Sequence, residues 1–444
     1  MRYNDSSTRG SCMNAYIKFF LTIFLTFQMH AATGIETIEI LGGRASQIPI
    51  AITPFDEQVQ FKQLQAQKIN QILANDLIRS GLFDILNTDG VASIPRAVDE
   101  VNYSNWSAIQ AQFLILGQVL PGTGNDTLEV KWSLVDIFKQ KTVMTRILKG
   151  KSSQYRAIAH KISDLVYEEL TGTKGVFHTK IAFVKKKTQD SYALYVSDYD
   201  GFNQKAIVKS QKPIISPRWS PDGKKIAYVS FEKQEPVIYI QDLVSGKRIL
   251  LANFKGNNSA PAWSPDSQKL AIVLTYSSNS QIYLINHDGS DIKQLMRTYA
   301  INTEPTWAPN GEEIYFVSDR GGSGQIYKIN INTNETKRVT FEGNNNLSPS
   351  ISADGKLLLF ISQKDRKYRV ALQNLLNNQY LTLTDGPHDE SPLFSPNGHM
   401  VLFTYKDFGK TSKIGTVSIN GLTKTPINVG SETIMESTWG PITD

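Results

Sequence analysis

Residues Ser216–Ser230 read SPRWSPDGKKIAYVS, and the chain returns to this phrase five more times. Ala260–Leu274 is APAWSPDSQKLAIVL, Glu304–Ser318 is EPTWAPNGEEIYFVS, Ser348–Ile361 is SPSISADGKLLLFI and Ser391–Thr404 is SPLFSPNGHMVLFT. A shortened copy, Glu436–Asp444, reads ESTWGPITD. The anchor position holds Trp219, Trp263, Trp307, Ile351, Phe394 and Trp439, separated by steps of 44, 44, 44, 43 and 45 residues. A period in this range marks a repeat architecture.

Each copy carries strand signals. After the anchor comes Ser/Ala-Pro-Asp/Asn-Gly, in which Pro presets φ, Asp or Asn bonds the local backbone and Gly accepts positive φ. An apolar run follows, such as Ile226–Val229 or Leu270–Leu274, then a second run such as Ile238–Ile240 and a weaker third. Four short strands in about 44 residues describe a propeller blade. Lys180–Val184, Leu194–Asp198 and Lys205–Lys209 match the three outer strands of one more unit that lacks an anchor strand. The copy around Trp439 has an anchor strand and nothing after it. Together they predict six blades, the last strand completing the first blade and removing exposed edges. The tryptophans are expected to pack between blades, where truncation costs roughly 3–5 kcal/mol.

A chain of 444 residues exceeds one ordinary core, so a second domain is expected. The expected fold is an α/β N-terminal domain followed by an all-β six-bladed β-propeller. Residues 1–32 read as a secretory signal peptide. Phe19–Phe27 is a nine-residue apolar core, preceded by Lys18 and followed by Ala31 and Ala32, and Met13 is a candidate start. The single cysteine, Cys12, precedes that core, so neither lipid attachment after it nor a disulfide is expected. Without 1–32 the formal charge falls from +6 to +4, which gives no basis for nucleic-acid binding. Residues 33–47 begin TGIETIEILGG and read as a short strand or extended tail. Residues 48–172 are expected to be the α/β unit and 176–444 the propeller. In the former, Ile48–Phe55, Phe113–Val119 and Val143–Leu148 read as strands. The apolar spacing of Leu64, Ile69, Ile72, Leu73 and Leu77 predicts a helix ended by Gly81. A second helix is expected from Ser152, ended by Gly172, with Gly124–Asp126 as a turn.

No catalytic constellation emerges. There is no Gly-x-Ser-x-Gly elbow, and His160, His178, His287, His388 and His399 lack metal-ligand spacing. Asp198-Tyr199-Asp200-Gly201 resembles the start of a calcium loop but lacks the later ligands, so a hairpin turn is the plainer reading. No cofactor or metal is expected. A binding surface remains. Three residues before each anchor stand Ser216, Ala260, Glu304, Ser348, Ser391 and Glu436, expected in loops ringing one mouth of the channel. Small residues leave room for a protruding partner loop, and the carboxylates can accept hydrogen bonds. An alternative is a secreted propeller hydrolase using Glu304 and Glu436, since a fold does not fix function. A lectin would need aromatic platforms where the loops are rich in Asn, Ser and Gly.

Ser197–Gln204 (SDYDGFNQ), Asn302–Trp307 (NTEPTW) and the Pro54-Phe55 strand end are more specific than the repeat itself. On these residues, and on a signal peptide and α/β domain preceding six blades, the chain resembles the TolB family, periplasmic components of the Tol-Pal system. The resemblance implies a monomeric, non-enzymatic adaptor in the periplasm that supports outer-membrane integrity and constriction at division. Such proteins bind the lipoprotein Pal at the propeller mouth and TolA through the N-terminal segment, with other outer-membrane or peptidoglycan-associated proteins as further partners. The family's Pal-contacting loops fall on Asn257, Ala260, Thr303 and Glu304, with Asn257 standing where the family often has His. The TolA-binding segment falls on Ile35–Leu41, through Ile35, Ile38 and Ile40.

Overall fold

The computed structural model describes residues 47–57, 66–124, 126–276, 279–406 and 411–443. The expected signal peptide, residues 33–46 with Ile35, Ile38 and Ile40, Leu64 of the expected first helix and Asn125 of the expected turn lie outside the described residues.

The first half is one mixed sheet. Its strands are β1 (Ile48–Ile52), β2 (Asp56–Glu57), β3 (Phe83–Ile85), β4 (Phe113–Pro121), β5 (Thr127–Asp136) and β6 (Lys141–Lys151), in the order β3-β1-β4-β5-β6 with β2 added beside β4. β1 runs parallel to β3 and β4, and β4-β5-β6 is an antiparallel meander. The strand expected over Ile48–Phe55 ends at Ile52 and resumes as β2, because Pro54 has no N–H to extend the ladder. The Phe55 ring then lies over Gly117, where a Cβ would come within 2.5 Å of it. Only glycine fits beneath that ring.

Two long helices cover one face, Ala66–Ser80 and Tyr155–Thr171. Ile69, Leu73 and Leu77 of the first and Ile158, Ile162 and Val166 of the second share a core with Leu128, Val130 and Trp132 of β5. The short helix Tyr103–Ala108 places Trp106 on the opposite face, against Leu114 and Val135. The helix expected from Ser152 starts at Tyr155, after a 3-10 turn over Ser152–Gln154 in which the Gln154 side chain accepts the Lys151 N–H at 3.0 Å. It ends at Gly172, in the left-handed region at φ 71°.

Among the described residues, the second half forms six blades. Blade 1 joins Thr433–Trp439 to Lys180–Thr188, Ser191–Asp198 and Lys205–Ser210, so its inner strand comes from the far end of the chain, as the two partial copies imply. Blades 2, 3 and 4 have inner strands Ile214–Trp219, Asn258–Trp263 and Asn302–Trp307. Blades 5 and 6 have inner strands Asn345–Ile351 and His388–Phe394 and are joined by one parallel pair, Tyr368 with His388.

The repeated turn works as its composition implies. Ser220 Oγ accepts the Lys225 N–H at 2.9 Å and bonds Asp222, while Gly223 sits at φ 71°. Ser264 with Asp266, Ser352 with Asp354 and Ser395 with Asn397 repeat the arrangement. The anchor tryptophans tie blades together. Trp263 Nε1 donates to the Arg218 carbonyl at 3.1 Å and Trp307 Nε1 to that of Ala262 at 3.1 Å, each reaching the preceding inner strand.

Candidate functional site

The six inner strands share a defect. In each, the antiparallel register slips just before the anchor, between Ile215 and Arg218, Ser259 and Ala262, Thr303 and Thr306, Leu347 and Ser350, Glu390 and Leu393, and Ile434 and Ser437. The bulge residues are Ser216, Ala260, Glu304, Ser348, Ser391 and Glu436. This corrects the expected placement, because they lie within the inner strands rather than in loops before them. Five precede a proline and take positive φ, from 47° at Ala260 to 52° at Ser348. Pro cannot donate to a ladder and is accommodated at bulges. Non-glycine residues in this region cost of order 1–3 kcal/mol each. Glu436 precedes Ser437 instead.

All six line one central cavity of about 300 Å³, with Arg218 and the prolines Pro261, Pro305, Pro349 and Pro392. The two carboxylates bridge adjacent blades in the same way. Glu304 Oε2 accepts the Ser348 N–H at 2.6 Å, and Glu436 accepts the N–H of Ser216. Each thus holds the bulge residue of the following blade. Burial pushes the Glu436 carboxyl up, and the nearby charges of Glu304 and Glu390 push it the same way against the pull of Arg218. Sequence reasoning missed Arg218 and Glu390, since neither position recurs with similar chemistry in the other copies.

Asn257 and Thr303 are placed differently. They flank the entrance ends of the blade 3 and blade 4 inner strands and do not line the cavity. Asn257 is exposed on a loop fastened by its own N–H to Thr275 Oγ1 at 2.8 Å and by the Thr275 N–H to its carbonyl at 3.2 Å. Thr303 pairs with Val317 in the ladder, one residue before Glu304.

A second cluster was not legible in the sequence. Asp76 on the first long helix accepts from the Tyr199 hydroxyl at 2.5 Å, and its other oxygen lies 2.8 Å from His160 Nδ1. Arg156 pairs with Asp200 and lies 3.9 Å from Asp198, and His160 Nε2 is 3.6 Å from Asp200. The Asp198–Gly201 turn is therefore where the first blade meets the α/β half. Ligating atoms of His160, Asp198 and Asp200 lie within 4.8 Å of one another, and positive charge comes from the Arg156 guanidinium and from the Lys180 ammonium paired with Asp198. Burial presses the His160 pKa down, but the charge and hydrogen bond of Asp76 and the charge of Asp200 outweigh it, leaving the pKa above 6.5. Burial and Asp76 hold the Tyr199 hydroxyl protonated.

Among the described residues, no helix is long and apolar enough to cross a membrane. Residues 36–143 match the family profile described as the TolB amino-terminal domain, and residues 167–443 match that of the TolB beta propeller domain. The Tol-Pal system protein TolB of Methylobacillus flagellatus is 60% identical over 425 residues, covering 95% of this chain and 97% of that protein. Its counterpart in Nitrosomonas europaea is 55% identical over 405 residues, covering 91% and 93%. The crystal structure of TolB from Acinetobacter baumannii superposes with a TM-score of 0.82 at 33% identity, over 90% of this chain and 98% of that one. With both halves matched in chain order and near-complete coverage of its relatives, the chain belongs to the TolB family of Tol-Pal system proteins.

Proposed function

We propose that this chain is a periplasmic adaptor of the Tol-Pal system without catalytic activity, supporting outer-membrane integrity and constriction at division. Residues 1–32 act as its export signal. Residues 33–47 recruit TolA through Ile35, Ile38 and Ile40. The propeller mouth takes Pal through Asn257, Ala260, Thr303 and Glu304, with Ser216, Ser348, Ser391 and Glu436 forming the channel wall behind them.

The observation that carries this reading is the common bulge. Six positions held by serine, alanine or glutamate share one register slip and open onto one cavity of about 300 Å³. Such a wall accepts a protruding loop and offers it carboxylates as hydrogen-bond acceptors. Paired acid–base catalysis is disfavoured by the commitment of Glu304 to the Ser348 N–H. The test is titration of the soluble domain of Pal into the mature protein. Glu304→Lys is expected to weaken capture at least tenfold with the propeller still folded. Undiminished affinity in that variant overturns the assignment of the mouth.

A further inference from the structure

Two residues before each bulge stands a buried side chain that the Pal reading leaves unassigned. In blades 3, 4 and 5 it is asparagine, at Asn258, Asn302 and Asn346, all 0% exposed. In blades 1 and 2 it is Ile434 and Ile214, and in blade 6 it is Asp389. The asparagines stand 44 residues apart, in phase with the tryptophans.

Each asparagine commits its amide to the loop that enters its own strand. Asn258 Nδ2 donates to the carbonyls of Phe254 at 2.7 Å and Gly256 at 3.1 Å, while its Oδ1 accepts the Phe254 N–H at 2.9 Å. A further bond reaches the Pro236 carbonyl at 3.1 Å. Asn302 Nδ2 donates to Thr298 Oγ1 at 2.7 Å, Gln281 Oε1 at 3.1 Å and the Ala300 carbonyl at 3.3 Å. Its Oδ1 accepts from Arg320 at 2.9 Å. Buried amides satisfied on every side form rigid networks, because breaking one bond leaves an unpaired group away from water.

Asn257 and Thr303 are the chain neighbours of Asn258 and Asn302. We infer that Asn258 and Asn302 are positioning residues of the mouth, clamping the two entrance loops in their binding geometry before any partner arrives. This rests on the Pal reading above. A loop ordered in advance does not lose its freedom on association, and that saving appears as affinity. The clamp serves one side of the ring, since isoleucine at blades 1 and 2 can make none of these bonds.

The experiment is calorimetric titration of Pal's soluble domain into four forms of the mature protein, the wild type and three variants. Asn302→Asp keeps the acceptor for Arg320 and loses the donors to Thr298, Gln281 and Ala300. Gln241→Glu is the control. It strips bonds to the carbonyls of Asp242 (3.1 Å), Gly246 (2.9 Å) and Lys247 (3.3 Å) from a hairpin at the other end of blade 2. We expect similar falls in Tm, a Kd raised at least tenfold in Asn302→Asp alone, and faster amide exchange over residues 298–303 in that variant. Thr298→Val removes one acceptor of the Asn302 amide together with the weak bond from its own hydroxyl to the Ala300 carbonyl (3.3 Å), and an intermediate rise in Kd is expected even if Asn302→Asp fails to fold. Wild-type Kd in Asn302→Asp, or in Thr298→Val where that is the variant that folds, overturns the inference alone. So does equal weakening in the Gln241→Glu control. A wild-type protein that does not bind Pal overturns the mouth reading and the inference with it.

Discussion

The bridge from Glu304 to the Ser348 N–H makes a paired prediction, because charge and hydrogen bond can be removed separately. Glu304→Gln keeps an amide oxygen able to accept that N–H and removes the charge. Glu304→Ala removes both and leaves the N–H without a partner. A buried N–H stranded in this way costs about 1–3 kcal/mol. Glu304 and Ser348 are both half-buried, which places the expected cost at the lower end, about 1–2 kcal/mol. For a propeller of this size each kcal/mol lowers Tm by about 2–4 °C. Denaturant unfolding of the two variants beside wild type reads the difference. Glu304→Gln should lose less than about 1 kcal/mol, because it keeps an acceptor for the Ser348 N–H, with Glu304→Ala clearly below it. Equal stability of the two variants would refute the claim that this carboxylate links blades 4 and 5. Pal affinity supplies the other half, since a side chain that contacts the partner through its charge should lose affinity in both variants.

The Asp76–His160 pair predicts a pH dependence. The native state holds the His160 proton more tightly than the unfolded chain, so the contribution to stability is full below pH 6.5 and fades as pH rises through the raised native pKa. Unfolding free energy measured from pH 6 to 9 should show this decline, and Asp76→Asn, which also disturbs Tyr199, should flatten it. Trp263→Phe keeps a six-membered aromatic ring but deletes the buried pyrrole ring and its bond to the Arg218 carbonyl, so the loss in chemical unfolding should exceed the about 0.5–1.5 kcal/mol of the bond alone and stay below the roughly 3–5 kcal/mol expected for Trp263→Ala. Deleting residues 33–43 should abolish TolA capture in a pull-down and leave Pal capture intact. Loss of both would assign that segment to folding instead.

Much of the architecture was legible because it repeats. The Trp219 phrase, its turn and its phase define six blades, and the unmatched strands at Lys180 and Trp439 specify how the first is completed. The bulge was harder to see. Ser216-Pro217 and its counterparts look like the start of a turn, and only the ladder reveals that proline marks a slip within a strand. The asparagine clamp carried the same 44-residue signal as the tryptophans, but its polar character suggests a loop surface until the 0% exposure is seen. The junction was beyond reach. Asp76 meets His160 across 84 residues and Tyr199 across 123, and no local pattern announces either contact. At Asp198–Gly201 the plainer reading of a hairpin turn matches the structure, but nothing in the local sequence announces that its carboxylates pair with Arg156 and Lys180.

As proposed above, the mature chain is an adaptor whose mouth captures a peptidoglycan-binding lipoprotein. The most direct measurement is affinity capture from solubilised cell envelope, using the mature protein and its Glu304→Lys variant side by side. The wild type is expected to recover Pal and the variant to fail, with both equally folded by circular dichroism. Absence of Pal from the wild-type eluate, or equal recovery by the variant, would contradict it.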